Sequence, residues 1–189
     1  MKGVTIAEVD NRLHAIPDTE RETECDTLVL SVGLIPENEL SRGLGVNLDN
    51  RTGGPVVDEN METSVKGIFA CGNVVHVHDL VDHVSESGEI AGRSAGRFVV
   101  GNLARKKNRI RLRAGRNVRY VVPQVVSGKD DVKVYLRVKK PARYVLVKVG
   151  EEISFPKRMV RPPETVELRI PKGKLVDHSV VISVMREKK

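Results

Sequence analysis

Hydrophobic and polar positions change rhythm three times along the chain. Val4–Asp10 alternates and predicts a strand. Asn11-Arg12 makes a short turn, and Leu13–Ile16 returns as a second strand. Pro17–Glu24 is polar and acidic, hence loop. Asp26–Gly33, "DTLVLSVG", is continuously apolar, the pattern of a parallel strand buried on both faces. Glu37–Gly43 predicts a short helical turn, and short strands are expected near Pro55–Val57 and Ile68–Ala70, with polar Asn60–Ser64 between them. From Asp79 the period changes. Val84, Gly88, Ala91, Ala95 and Phe98 recur at spacings of three and four, predicting a helix with Asp79 as N-cap, running to about Val100 and stopped by Gly101. Each interior glycine, Gly88, Gly92 and Gly96, costs about 1 kcal/mol against alanine. Close approach of a sheet or of a cofactor would each justify that cost.

Beyond Gly101 the alternation is that of strands. Asn117–Val122, Asp131–Val138, Arg143–Val149, Thr165–Ile170 and Ser179–Met185 are predicted, with Arg109–Arg113 as a short addition. Val132, Val134, Leu136 and Val138 share one face, and Lys133, Tyr135 and Arg137 the other. Prolines 141, 156, 162, 163 and 171 punctuate these runs, and a small antiparallel sandwich or barrel is expected.

Charge follows the same division. Residues 1–100 carry 8 Lys/Arg against 17 Asp/Glu, and residues 101–189 carry 24 against 8, so a net −9 is followed by a net +16. Arg105–Arg119 holds eight basic residues and no acidic one. That run is a nucleic-acid patch, a solvated face or a docking surface. Without Trp and with three Phe and three Tyr, no base-stacking platform accompanies it, so nucleic acid is not an expected partner. No apolar run is long enough to span a membrane. "MKGVTIAEVD" has neither an apolar core nor a small-residue cleavage site, so no signal peptide is expected. Cys25 and Cys71 lie far apart, and a cytoplasmic location is the expectation.

Candidate chemistry concentrates in "VKGIFACGNVVHVHDLVD", Val65–Asp82. His76, His78, Asp79, Asp82 and His83 invite a metal-site reading, but neither HExxH nor paired cysteines are present. Cys71 before Gly72 superficially suggests a nucleophile turn, without the flanking glycines of that motif. A third reading places a large cofactor at the start of the helix, where free N–H groups and the positive dipole end face an electron-rich ring, and Asn73 reaches a sugar-alcohol hydroxyl.

Two stretches then resemble a known family. "CDTLVLSVGLIPENEL", Cys25–Leu40, is similar to the strand and glycine turn where the pyridine-nucleotide domain hands back to the FAD domain in disulfide-reductase-like flavoproteins. "GPVVDENMETSVKGIFACGN", Gly54–Asn73, is similar to the closing FAD motif of the same family, with Thr63, Ser64, Gly67, Ala70 and Gly72 in the family's positions. The whole resembles most closely the flavoprotein oxidoreductases associated with glycerol-3-phosphate dehydrogenases, which show a similar "CGNVxHVHDLVD" segment. The resemblance implies an α/β remnant of a Rossmann-like FAD/NAD(P)-binding fold followed by the small all-β unit. Residues 1–40 would end the pyridine-nucleotide domain, residues 41–101 would close the FAD domain, and residues 102–189 would form the β domain.

It also implies FAD and NAD(P)H as cofactors. Asn73 would hold the ribityl chain, with Gly72 at the tight strand end. Asp79, Leu80 and Val81 would face the pyrimidine end of the flavin and favour the reduced anion, and Gly33 would let backbone approach the adenosine side. His76 and His78 would line the pocket or relay protons. Asn73 departs from the family, which has an acidic residue there. No GxGxxG is present, so the fingerprints for both pyrophosphates are expected upstream of residue 1. The chain is thus expected to be a C-terminal part, inactive alone, of an enzyme passing electrons between nicotinamide, flavin and another acceptor. Its expected partners are an N-terminal FAD/NAD(P)-binding portion and, as a candidate, a dehydrogenase subunit. The alternatives are a non-catalytic module docking a partner subunit, a basic nucleic-acid binder and a metal-dependent hydrolase using His76, His78 and Asp82.

Overall fold

The computed structural model describes residues 1–103, 109–175 and 177–186. Arg105, Lys106 and Lys107 of the basic run lie outside the described residues. Two compact units emerge, Met1–Gly33 and Leu34–Lys189.

In the first unit β1 (Gly3–Ile6) pairs antiparallel with β2 (Arg21–Glu24). The ribbon continues as a single bridge between Val9 and Ala15. Asp10 closes its turn, accepting the N–H groups of Arg12 and His14 on Oδ1 at 2.7 and 3.0 Å. Strand β2 replaces the expected loop over Pro17–Glu24: all four of its residues are exposed, so no burial pattern betrays it. The expected buried strand over Asp26–Gly33 is not a strand, and Val29 and Val32 are 85% and 88% exposed. A strand apolar on both faces needs neighbours on both edges and cover on both faces, and no described strand pairs with it.

The second unit opens with α1 (Glu39–Gly43) and then runs through irregular chain to α2 (Val81–Val99). The strands expected near Pro55–Val57 and Ile68–Ala70 are reduced to single bridges, Leu48 with Pro55 and Glu62 with Phe69. No parallel sheet of Rossmann type is present among the described residues. Helix α2 buries Ser87, Ala91 and Ser94, a narrower and more polar stripe than the predicted one. Its N-cap is Leu80, not Asp79, and at its other end Gly101 adopts φ +74° as expected of a helix stop. A Cβ on Gly88, Gly92 or Gly96 would meet nothing within 4 Å, so neither sheet nor loop of the described chain uses the glycine face.

Eight strands follow: β3 (Ile110–Ala114), β4 (Val118–Val122), β5 (Val125–Val126), β6 (Val132–Val138), β7 (Ala142–Val149), β8 (Ile153–Val160), β9 (Val166–Ile170) and β10 (Ser179–Arg186). They form two sheets, β5-β3-β10-β7-β8 and β4-β6-β9, so the unit is a sandwich rather than a closed barrel. It is not wholly antiparallel, because β10 runs parallel to β3. Alternation gives both sheets an apolar inner face. Val134, Leu136, Leu168 and Ile170 of one meet Ile110, Val147, Ile182 and Val184 of the other in one core. Burying each such side chain is worth about 1.5–3 kcal/mol. A second cluster joins the sandwich to the preceding chain: Tyr120 and Val122 of β4 pack with Val57, Met61, Val75 and Ala91.

Candidate functional site

The junction between the irregular segment and α2 is built around Gly72. This residue has φ +66° and opens a 3-10 turn, Gly72–Val74. Its N–H donates to Ser87 Oγ at 2.9 Å, and Ser87 Oγ in turn donates to Val84 O at 2.8 Å. A Cβ here would sit 3.3 Å from Val84 Cγ1. Asn73 Oδ1 accepts the N–H of His78 at 3.0 Å, which curls the next five residues and leaves its amide nitrogen as a donor. Helix α2 then begins without a side-chain cap, behind exposed Leu80 and Val81. The N–H groups of a helix's first turn lack intrahelical partners and carry its positive dipole end. This end suits an electron-rich acceptor.

Behind the junction lies a cluster of rings. His76 is 1% exposed, its ring centroid 4.0 Å from that of His78, 5.5 Å from Tyr120 and 6.1 Å from Tyr135. Its Nδ1 lies 3.4 Å from Tyr120 Oη. Burial, followed by the charges of His78 and Arg137, pushes His76 down to about 3. Burial and then His83 push His78 down to about 4. Both are therefore neutral near pH 7. On the next shelf, Glu86 of α2 accepts hydrogen bonds from Lys133 Nζ and, at 2.8 Å, from Tyr135 Oη. The Lys133 hydrogen bond is the main reason that the Glu86 carboxyl is held below its ordinary range. His83 Nε2 lies 3.6 Å from Glu167 Oε2 of β9.

Of the residues expected at the site, Gly72, Asn73, Asp79, Leu80 and Val81 share this one junction. Asp79 has a different occupation from the expected one: its Oδ2 accepts the N–H of Thr165 at 2.9 Å, so it ties the junction to the start of β9. Burial raises its carboxyl, but the bonds from Thr165 and the Arg137 charge outweigh it, and the pKa is lowered. Gly33 lies in the first unit with φ +93° and open space where a Cβ would stand. Cys71 is free and packs against the second apolar cluster. No group of three or more His, Cys, Asp or Glu is placed to hold a metal among the described residues. Ser87, Glu86, Tyr120 and Tyr135 escaped the sequence reading. Ser87 and Ser94, both polar, interrupt the buried face of α2.

The model of the pyridine nucleotide-disulphide oxidoreductase family matches residues 1–95. Among curated proteins, a ferredoxin–NADP reductase of Ignicoccus hospitalis is 36% identical over 39% of this chain and 24% of its own length. A mitochondrial dihydrolipoyl dehydrogenase of Caenorhabditis elegans is 40% identical over 38% of this chain and 15% of its own. A CoA-dependent NAD(P)H sulfur oxidoreductase of Pyrococcus abyssi is 31% identical over 38% and 16% respectively. The matched stretch thus spans about a quarter of these relatives or less. No solved structure matches. Among the described residues no helix is long and apolar enough to cross a membrane. The chain belongs to the pyridine nucleotide-disulphide oxidoreductase family.

Proposed function

From that membership we propose that the chain is the C-terminal part of an FAD-dependent NAD(P)H oxidoreductase, of the kind associated with glycerol-3-phosphate dehydrogenases, working in the cytoplasm. The observation that carries the reading is the uncapped, exposed start of α2 at Leu80–Val81, next to the free amide donor of Asn73, inside the stretch that the family model matches. When bound, the flavin supplies hydride and electron transfer between a nicotinamide and a further acceptor.

The residues present fit one end of that cofactor. Asn73 would donate its amide to a ribityl hydroxyl, while its oxygen keeps His78 in place. The N–H groups following Leu80 would receive the pyrimidine oxygen and favour negative charge there. Gly72 would keep the turn before α2 free of a side chain. Asp79 would act through Thr165, fixing where α2 begins. His76, enclosed and neutral, would pack behind the site rather than exchange protons in it. A pyrophosphate cradle would come from an N-terminal portion carrying the GxGxxG turns. The division into residues 1–40, 41–101 and 102–189 belongs to this proposal.

The test is flavin content after gel filtration. The 189 residues alone should be colourless, and the same chain joined to an N-terminal portion bearing both glycine fingerprints should be yellow at one flavin per chain. A colourless joined protein removes the flavoprotein assignment.

A further inference from the structure

The arginines of the basic run have no role in the reading above, yet two of them line a cleft. Arg111 and Arg113 sit two apart on β3, so their side chains leave the same face, and both are exposed while Ile110 and Leu112 point into the core. The loop at Asp49–Gly54 faces them. Asp49 shapes that loop by accepting the N–H groups of Arg51 and Thr52 on Oδ1 at 2.7 and 3.1 Å. Arg51 then spans to the end of β3, where Nη1 donates to Ala114 O at 3.3 Å. Between loop and strand lies a cleft of about 600 Å³, lined by Asn47, Asp49, Arg51, Arg111, Arg113 and Gln124 among others. Among the described residues no carboxylate is ion-paired with Arg51, Arg111 or Arg113.

Gln124 supplies an independent observation. It is 6% exposed. Its Oε1 accepts the N–H of Val57 at 3.0 Å, its N–H donates to Val57 O at 3.1 Å, and its carbonyl accepts the N–H of Leu112 at 2.9 Å. The residue is fixed at three points, yet its amide nitrogen is buried without a hydrogen-bond partner. Those three bonds make Gln124 a rigid part of the cleft lining.

We propose that this cleft binds the phosphate dianion of a small phosphorylated molecule. Guanidinium forks match phosphate oxygens in pairs, and Gln124 lines the cleft beside them. A volume of about 600 Å³ suits a small ligand. The wide aromatic face that single-stranded nucleic acid stacks on is missing from the lining, where Tyr120 is the one aromatic residue and is itself buried. The site lies on β3 and the 47–54 loop, away from the Leu80–Val81 helix start, and stands whether or not flavin binds.

The experiment is an NMR titration of the 189-residue chain with inorganic phosphate, phenyl phosphate and a single-stranded oligonucleotide, following arginine Nε and glutamine side-chain signals. Saturable shifts at arginine Nε and at the Gln124 amide with either phosphate compound support the site. Tighter binding of phenyl phosphate identifies an esterified ligand, and equal binding identifies free phosphate. The double variant Arg111→Ala/Arg113→Ala, changed only on an exposed face, should melt like the parent and bind about tenfold more weakly or worse. Absence of saturation at millimolar phosphate or phenyl phosphate, equal binding by the variant, or tighter binding of the oligonucleotide would overturn the proposal.

Discussion

The carboxylate of Asp79 accepts the backbone N–H of Thr165 at 2.9 Å, joining residues 86 positions apart. The start of α2 is therefore held by the sandwich and not by a local cap, which is why the helix begins one residue later than its sequence pattern suggests. Asp79→Ala should lower stability by about 0.5–1.5 kcal/mol, at the low end because the bond is exposed. Asp79→Asn keeps an acceptor and should recover most of it. The folded-state pKa of Asp79 is depressed, so its contribution is complete above the unfolded value near 3.8 and disappears as pH falls further. Urea midpoints of the three proteins at neutral pH check the ranking.

Glu86 makes a comparable tie from the middle of α2. Its oxygens serve Lys133 and the buried Tyr135 hydroxyl together. Glu86→Ala leaves that hydroxyl without its acceptor and should cost about 1–3 kcal/mol, whereas Tyr135→Phe on top of it should be nearly neutral. A double-mutant cycle by chemical denaturation measures this. Additive losses from the two changes would show that the pair does not interact.

The buried histidines give the fold a predictable acid sensitivity. Burial is the main reason that His76 and His78 sit at about 3 and about 4 in the folded chain, against 6.5 when unfolded. The charged or titratable groups around them are His83 from α2, Tyr120 from β4, Tyr135 and Arg137 from β6, and Asp79. The unfolded chain takes up protons first, so stability is complete above pH 6.5 and falls as pH drops towards the folded values. Between about pH 7 and about pH 5 the loss should be roughly 2 kcal/mol for each histidine. Denaturant midpoints that do not move between those two pH values would show that the histidines are not held neutral.

How much of this was legible differs from element to element. The sandwich strands were readable because Val132, Val134, Leu136 and Val138 alternate into the core, although Tyr135, on the opposite face, is buried too. Strand β8 was not, because Pro156 interrupts it. The proline is tolerated since β8 is the outer strand of its sheet and needs only one complete ladder, that with β7. Asp26–Gly33 failed in the opposite sense: its apolar pattern specifies neighbours on both sides, and the described chain contains none for it. At the site, the tight turn at Gly72 and the onset of α2 were readable from glycine placement and period. The Tyr120 hydroxyl beside His76 was not, because the two are 44 residues apart and nothing local links them.

Two glycines test opposite kinds of space. A Cβ on Gly54 would collide with the carbonyl oxygens of Val75 and Val74, both backbone atoms that cannot swing away. Gly54→Ala should therefore cost at least about 3 kcal/mol or prevent folding, because the loop and the Val74–Val75 backbone can no longer close. On the helix, Gly92 meets open space, and Gly92→Ala should raise stability by up to about 1 kcal/mol in this chain. If the glycine face of α2 seats the N-terminal portion of the proposed enzyme, the same substitution should lower flavin content in the joined protein. Thermal melts of the chain alone and flavin yield of the joined form separate these effects.

The last prediction concerns neighbouring positions at the proposed flavin end. Gly72 has φ +66°, a conformation that side chains resist, and an added Cβ would press on Val84 Cγ1 at 3.3 Å. Its N–H also holds Ser87, so any shift that relieves the strain pulls the turn away from α2. Gly72→Asp should reduce flavin content of the joined protein severely and lower the melting temperature. Asn73→Asp changes much less. Its carboxylate still accepts the His78 N–H, and a negative charge near the start of α2 is favoured by the helix dipole, typically by about 0.3–1 kcal/mol. It loses only the amide donor, and it restores the acidic group that the family usually places there. Flavin content should therefore stay at or near that of the parent in Asn73→Asp and collapse in Gly72→Asp. Equal losses in the two variants would mean that the Gly72–Asn73 turn is not where the ribityl chain is held.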